Sequence, residues 1–230
     1  ETAMKRPDGT ITIKGLSDPV APPTKAELAA SKALPHDHAA FLAQTGMAKL
    51  DEPTDRAFFD RLMFHPTLTI NGLHGGYDGP GSKTVLPAEA VAKCDIRLVE
   101  AMTPDQALGC VRAHVKKHAP DVAFIPMGGM LPSKTPMDAP FAEAVKQAVT
   151  RGHGTVPLLY PVVGGSLPDY VFTKILGLPA YVTPYANADE ANHAPNENME
   201  IALFLKGIRT GAALLAALGD AGVNQLSLIH

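Results

Sequence analysis

Tryptophan is absent from this 230-residue chain, and cysteine occurs only at Cys94 and Cys110. Two cysteines within apolar patterns exclude a disulfide scaffold, and both are expected to be reduced core residues. Neither sign of charge is in excess. Twenty Lys and Arg against 23 Asp and Glu leave a formal net charge of −3, which gives no electrostatic footprint for nucleic acid or an anionic membrane. No apolar run approaches the roughly 18–20 residues that span a bilayer, so no membrane partner is expected. The metal-binding signatures H-x-D, H-E-x-x-H and paired Glu-Glu do not occur either. The chain opens at Glu1, in mid-pattern, with neither an initiator Met nor a signal-like segment. A fragment or processed product is the expectation, and the compartment stays open with the cytoplasm favoured.

What is present is enough apolar sequence, 46% against 19% charged, to bury the core of one large domain or two modest ones. Residues 1–64 are the least regular. Ile11-Thr12-Ile13 reads as a short strand, and Thr24-x-x-Glu27 is a capping box that predicts a helix. Further helices are expected around 39–43 and from Thr54 to about Met63, the latter with Phe58, Leu62 and Met63 on its apolar side. From 67 the pattern sharpens. Thr67-Leu68-Thr69-Ile70 alternates as a strand, 71–82 is a glycine-rich connection, and 91–99 alternates again. Thr103-Pro104-Asp105-Gln106 opens a helix with an N-cap, Pro at its first position and Gln reaching back. Val122-Ala123-Phe124-Ile125 reads as the next strand. After a boundary near 128–136, a helix starts at Asp138 with Pro140 and packs through Phe141, Ala144, Val145 and Ala148. Leu158-Leu159-Tyr160 and Ala180-Tyr181-Val182 read as apolar strands. A long last helix carries the stripe Ile201, Phe204, Leu205, Ile208, Ala212 and Leu215.

Few residues carry an obvious chemistry. The run Asn192-His193-Ala194-Pro195-Asn196-Glu197-Asn198-Met199-Glu200 sets a histidine in an Asn/Pro loop just before a helix, where its ring is free to meet a metal or substrate. Gly164-Gly165-Ser166 lets backbone N–H groups approach an anion while the serine adds a hydroxyl, although an ordinary tight turn is the plainer reading. His114 and His118 stand four apart on a helix beside lysines and read as a solvated helix end. His36-x-His38 reads as surface loop, and Arg97, beside Asp95, as a surface cation.

Taken together, six short stretches alter that reading. Residues 66–72 with Gly75-Gly76-Tyr77, then 83–88 and 96–99, resemble the lid (dimerisation) domain of the carnosinase-like di-zinc metallopeptidases. That superfamily also holds acetylornithine deacetylase and succinyl-diaminopimelate desuccinylase. Gly164-Gly165-Ser166-Leu167-Pro168 and Asn192-His193-Ala194-Pro195-Asn196-Glu197 resemble two motifs of the same family's catalytic domain. The fold class implied is α/β: an α+β lid with a small antiparallel sheet and helices, followed by the C-terminal part of an α/β catalytic domain. The implied divisions are 1–64 (helical excursion and partial lid), 65–132 (lid) and 133–230 (catalytic part).

The resemblance also implies roles. His193 resembles the terminal histidine ligand to one of two zinc ions. Ser166 and Gly165 resemble the part that grips the substrate, and Arg97 the lid arginine that pairs with a substrate carboxylate. Thr84 resembles a lid residue that reaches the substrate. Where family members often carry Arg two positions before the glycine pair, this chain has Val162, so recognition on that side departs from the pattern. The other zinc ligands and the catalytic glutamate belong to an N-terminal segment, so no catalytic residue is assigned within 1–230. The implied function is hydrolysis of a dipeptide or similar small amide by a zinc-dependent homodimer. This chain alone is expected to be inactive and not to retain zinc without that N-terminal segment as partner. The rival is a non-catalytic dimerisation module of the same descent.

Overall fold

The computed structural model describes residues 3–50 and 55–226, excepting the side chains of 55, 56 and 222–226. The chain divides into two compact units. The first comprises Glu1–Pro23, His36–Ser133 and Val162–Tyr170; the second comprises Thr24–Pro35, Lys134–Pro161 and Val171–His230.

In the first unit a two-stranded antiparallel ladder joins β1 (Thr67–Gly75) to β2 (Ala90–Arg97), with Thr67 opposite Arg97 and Gly75 opposite Ala90. The expected strand at 67–70 continues five residues further because the register shifts between Ile70 and Gly72, a bulge that takes up Asn71. This extension leaves little room for a side chain. A Cβ at Gly75 would lie 3.1 Å from that of Ala90. After β2, the helix α4 (Pro104–His118) starts where its capping sequence predicts, with the Thr103 hydroxyl accepting from the Gln106 amide. The Gln106 side chain does not close the reciprocal bond; its Nε2 donates to the Gly15 carbonyl at 3.4 Å. Leu68, Met102, Ala107 and Val111 pack with Ile13 and Leu16 as one core, with Ile96, Leu98 and Val115 at its margin. Each such large side chain removed from water contributes about 1.5–3 kcal/mol. Cys110 borders this core, whereas Cys94 is exposed on β2, contrary to the expectation of two core thiols.

Several other expectations need correction here. Ile11-Thr12-Ile13 makes a single antiparallel bridge, Lys5 to Ile11, rather than a strand. Val122-Ala123-Phe124-Ile125 forms no strand. Pro126 follows it, and only Phe124 reaches the core, beneath the Arg112 guanidinium at 5.6 Å. Helix α2 (His38–Thr45) exists, capped by Asp37. Helix α3 (Asp55–Phe64) buries Phe59, Met63 and Phe64 while Leu62 faces out; its expected start, Thr54, lies outside the described residues. His36 and His38 are half-buried rather than fully exposed. His36 stacks on Phe58 with ring centroids 4.3 Å apart, and His38 meets His36 edge-on at 4.6 Å.

The second unit begins with α1 (Lys25–Lys32), closed by the expected capping box: Glu27 N to Thr24 Oγ1 at 3.2 Å and Thr24 N to Glu27 Oε2 at 2.7 Å. The other Glu27 oxygen meets Lys134 Nζ at 2.8 Å. Helix α5 (Ala142–His153) starts four residues after Asp138, entered through Phe141 at φ 70° with no side-chain cap. Its buried residues Val145, Ala148 and Gly152 face α6 (Ile201–Leu226). A single π-helical turn, Val171–Ile175, precedes α6. At the helix crossing a Cβ on Gly152 would stand 2.5 Å from Thr210 Cα. Small residues therefore form the seam, with Thr210 and Ala217 buried, while the expected stripe of Ile201, Phe204, Leu205, Ile208 and Leu215 is exposed. The stretch Ile201–Ala221 is also long and apolar enough, by length and composition, to cross a membrane, which corrects the reading that no such run exists.

The strands expected at 158–160 and 180–182 are absent among the described residues. Pro157 and Pro161 bracket the first, removing donors a ladder needs. At the second, side chains do the pairing: Ala180 N donates to Thr135 Oγ1 at 3.0 Å, and Tyr181 OH donates to the Pro140 carbonyl at 2.6 Å.

Candidate functional site

In the first unit two of the expected residues, 69 positions apart in sequence, come together. Arg97 ends β2, and Asp95 lies on the same face because side chains alternate along a strand. Its Nε sits 2.9 Å from Asp95 Oδ1, and its Nη1 donates to Ser166 Oγ at 2.6 Å. The arginine side chain stays 54% exposed, so the ion pair adds at most about 1 kcal/mol to stability. Its consequence is geometric. Asp95 and Ser166 engage the guanidinium at Nε and Nη1, and the Ser166 hydroxyl, used as an acceptor, keeps its proton to donate. A half-exposed guanidinium held at two of its nitrogens suits a carboxylate.

A Cβ at Gly164 would stand 2.6 Å from Leu62 Cδ1, the end of an exposed side chain. The neighbouring Gly165 is not constrained in that way; its nearest neighbour would be Val163 Cγ1 at 3.8 Å. Thr84 lies in the exposed connection after β1 and makes no hydrogen bond among the described residues, so it is not joined to Arg97 or Ser166. Beside it Leu86 is 90% exposed.

In the second unit His193 is exposed, at φ 62°. The Ala194 N–H donates to the Ala191 carbonyl at 2.9 Å, so His193 occupies the third position of a β-turn, where a positive φ favours Gly or Asn. Ala191 and Asn196 also have positive φ, 55° and 64°. Sequence reasoning identified the stiff loop but missed the residue at its base, Asn187. The density of asparagine before α6 was the available signal; which one is buried depends on tertiary packing.

His193 belongs to no group of three or more His, Cys, Asp or Glu able to hold a metal ion, and the described residues contain no such group. Zinc takes three or four protein donors. The described residues therefore do not assemble a zinc site by themselves. Among the described residues the other histidines join no such group. His114 and His118 are half-buried with ring centroids 4.5 Å apart, and burial, then His114 and Lys117, hold His118 below its ordinary value.

Residues 23–123 match the peptidase dimerisation domain of the M20 family. A Cys-Gly metallodipeptidase of Schizosaccharomyces pombe is 28% identical over 90% of this chain and 45% of its own length. A human Beta-Ala-His dipeptidase is 27% identical over 89% of this chain and 42% of its own. Among solved structures, an M20 family metallo-carboxypeptidase from Sulfolobus solfataricus superposes with TM-score 0.87 at 27% identity, over 92% of this chain and 49% of that one. The chain thus spans less than half the length of the curated relatives it matches.

Proposed function

For a chain that belongs with the M20 metallopeptidases and carries their dimerisation domain, we propose a role as the substrate-gripping part of a zinc-dependent hydrolase of dipeptides or similar small amides. The observation that carries this reading is the bond from Arg97 to Ser166. It unites a residue of the dimerisation domain with one of the glycine-rich motif in a cup suited to a free carboxylate. The relatives are metallodipeptidases by name, and a dipeptide presents such a carboxylate. Gly165 and Thr84 belong to the same proposed substrate site, Thr84 through its exposed connection. The domain divisions 1–64, 65–132 and 133–230 and a cytoplasmic setting are part of the same proposal.

His193 is proposed as a zinc ligand that acts with donors from further polypeptide, from which the general base also comes. Surface area supports that requirement. Two separate compact units of half the mass each would together expose roughly 12,000 Å², whereas the chain exposes 16118 Å². The bulky face of α6 is part of that excess, and exposed apolar surface on this scale marks an interaction face. Self-association of the dimerisation domain accounts for another part, so the enzyme is proposed to act as a homodimer.

The test compares a dipeptide with its C-terminal amide as substrates of the active enzyme. Arg97→Ala is expected to raise KM for the free acid severalfold and to leave the poorer KM of the amide unchanged. Equal effects on both substrates contradict a carboxylate grip. Light scattering on the same enzyme is expected to give a dimer; a monomer counts against the proposed assembly.

A further inference from the structure

We infer that Asn187 is a positioning residue for His193, holding its backbone in the left-handed conformation that fixes where the imidazole points. The functional weight of this inference rests on His193 being a ligand, as proposed above; the geometry does not.

Asn187 is 7% exposed, and its carboxamide is used on both sides. Nδ2 donates to Asp189 Oδ1 at 2.7 Å and to Asn198 Oδ1 at 3.0 Å, while Oδ1 accepts from the Glu200 amide at 3.0 Å. One side chain thereby ties the entry of the loop, its exit and the residue that leads into α6. Backbone bonds close the same neck: Glu190 N to Asn187 O at 3.2 Å, and Asn198 N to Glu190 O at 2.9 Å. Asn198 adds Nδ2 donations to Asp189 O at 3.3 Å and Asn196 O at 3.1 Å.

Inside this neck stand three residues with a Cβ at positive φ: Ala191, His193 and Asn196. Asn adopts this region readily, but Ala191 and His193 are strained there and stay only where the surroundings over-determine them. A loop closed by backbone bonds alone could relax by turning His193 to negative φ. Asn187 removes that freedom, because relaxation would break the bonds that satisfy its buried carboxamide. The Glu200 amide lies at the head of α6, so the same contact references the loop to a 26-residue helix. Strain at a candidate ligand and a buried clamp beneath it are what a site needs when one imidazole must be aimed without help from packing, since His193 itself is exposed.

The experiment uses the isotopically labelled 230-residue chain and reads the His193 HN–Hα coupling and Cα shift, which report the sign of φ, together with amide exchange across α5 and α6. The parent chain is expected to show the positive-φ signature. Asn187→Ala should lose it and raise exchange at Asn198 and Glu200 at least tenfold, with the interiors of both helices unchanged. Asn187→Asp should fail similarly, because it sets a carboxylate against Asp189; adding Asp189→Asn restores a donor to that pair and should recover the signature. An unchanged His193 coupling in Asn187→Ala overturns the inference. So does faster exchange throughout both helices without recovery in the exchanged pair, which would make Asn187 a general structural residue. The ligand reading is tested separately by the zinc content of His193→Ala in the active enzyme, so failure of one is distinguishable from failure of the other.

Discussion

Arg97 and His193 are presented in opposite ways. Arg97 projects from the end of an unstrained strand and is aimed by two side chains, Asp95 and Ser166, that are themselves at the surface. His193 projects from a strained loop and is aimed by its own backbone, which a buried carboxamide holds. A guanidinium brings a rigid plane and several donors, so partners from two distant segments suffice to orient it. An imidazole has fewer torsions to adjust and must meet a metal ion along a lone pair, and here the chain takes the strain in the main chain instead. On the proposed roles, stability and function are expected to be uncoupled at the first site and coupled at the second.

The largest effect is expected where the second site is founded. Gly152→Val would drive a side chain into the Thr210 backbone and should cost about 3 kcal/mol or more by overpacking, read as a lowered urea midpoint. If the α5–α6 seam gives way at less than about 1 kcal/mol, α6 is not the fixed reference that the His193 loop requires.

How much of this was legible follows from the same contrast. The capping box at Thr24, the N-cap at Thr103, α4, most of the ladder strand expected at 91–99, which ends at Arg97, and the Asn/Pro loop could be read from sequence because each is set by residues near one another. The Arg97–Ser166 bond could not, since it spans 69 positions. The apolar stripe of α6 misled for a physical reason. Ranking by size selects Phe204 and Ile208, but close approach to α5 requires Thr210 and Ala217, and Gly207 admits the Tyr185 ring, which would lie 2.6 Å from a Cβ there. The strands expected at 122–125, 158–160 and 180–182 have the composition of strands, yet proline at their margins and side-chain pairing by Thr135 and Tyr181 take the place of a ladder.

Acid should weaken the second unit by a smaller amount. Burial raises the Glu27 pKa, but the Lys134 ammonium and the Thr24 amide and hydroxyl outweigh it, so the carboxyl titrates below its ordinary 4.5. A depressed folded-state value contributes stability above the unfolded pKa and loses it as pH falls through the folded one. The midpoint of unfolding should therefore drop as pH falls below about 4.5, and Glu27→Gln should flatten that dependence. A pH profile identical in the variant would show that the Glu27–Lys134 pair contributes nothing.

The smallest stability effect belongs to the first site. Arg97→Ala and Ser166→Ala should each change stability by no more than about 0.5–1 kcal/mol, because both side chains are exposed where they meet. A larger loss from either, in thermal melts, would reassign the pair to a structural role and erase the contrast with His193.

Zinc content of the active enzyme, measured side by side for Arg97→Ala and His193→Ala, tests the division of labour most directly. The account predicts that Arg97→Ala keeps the metal of the parent enzyme and that His193→Ala loses it. Full zinc in His193→Ala, or loss of zinc in Arg97→Ala, would contradict it.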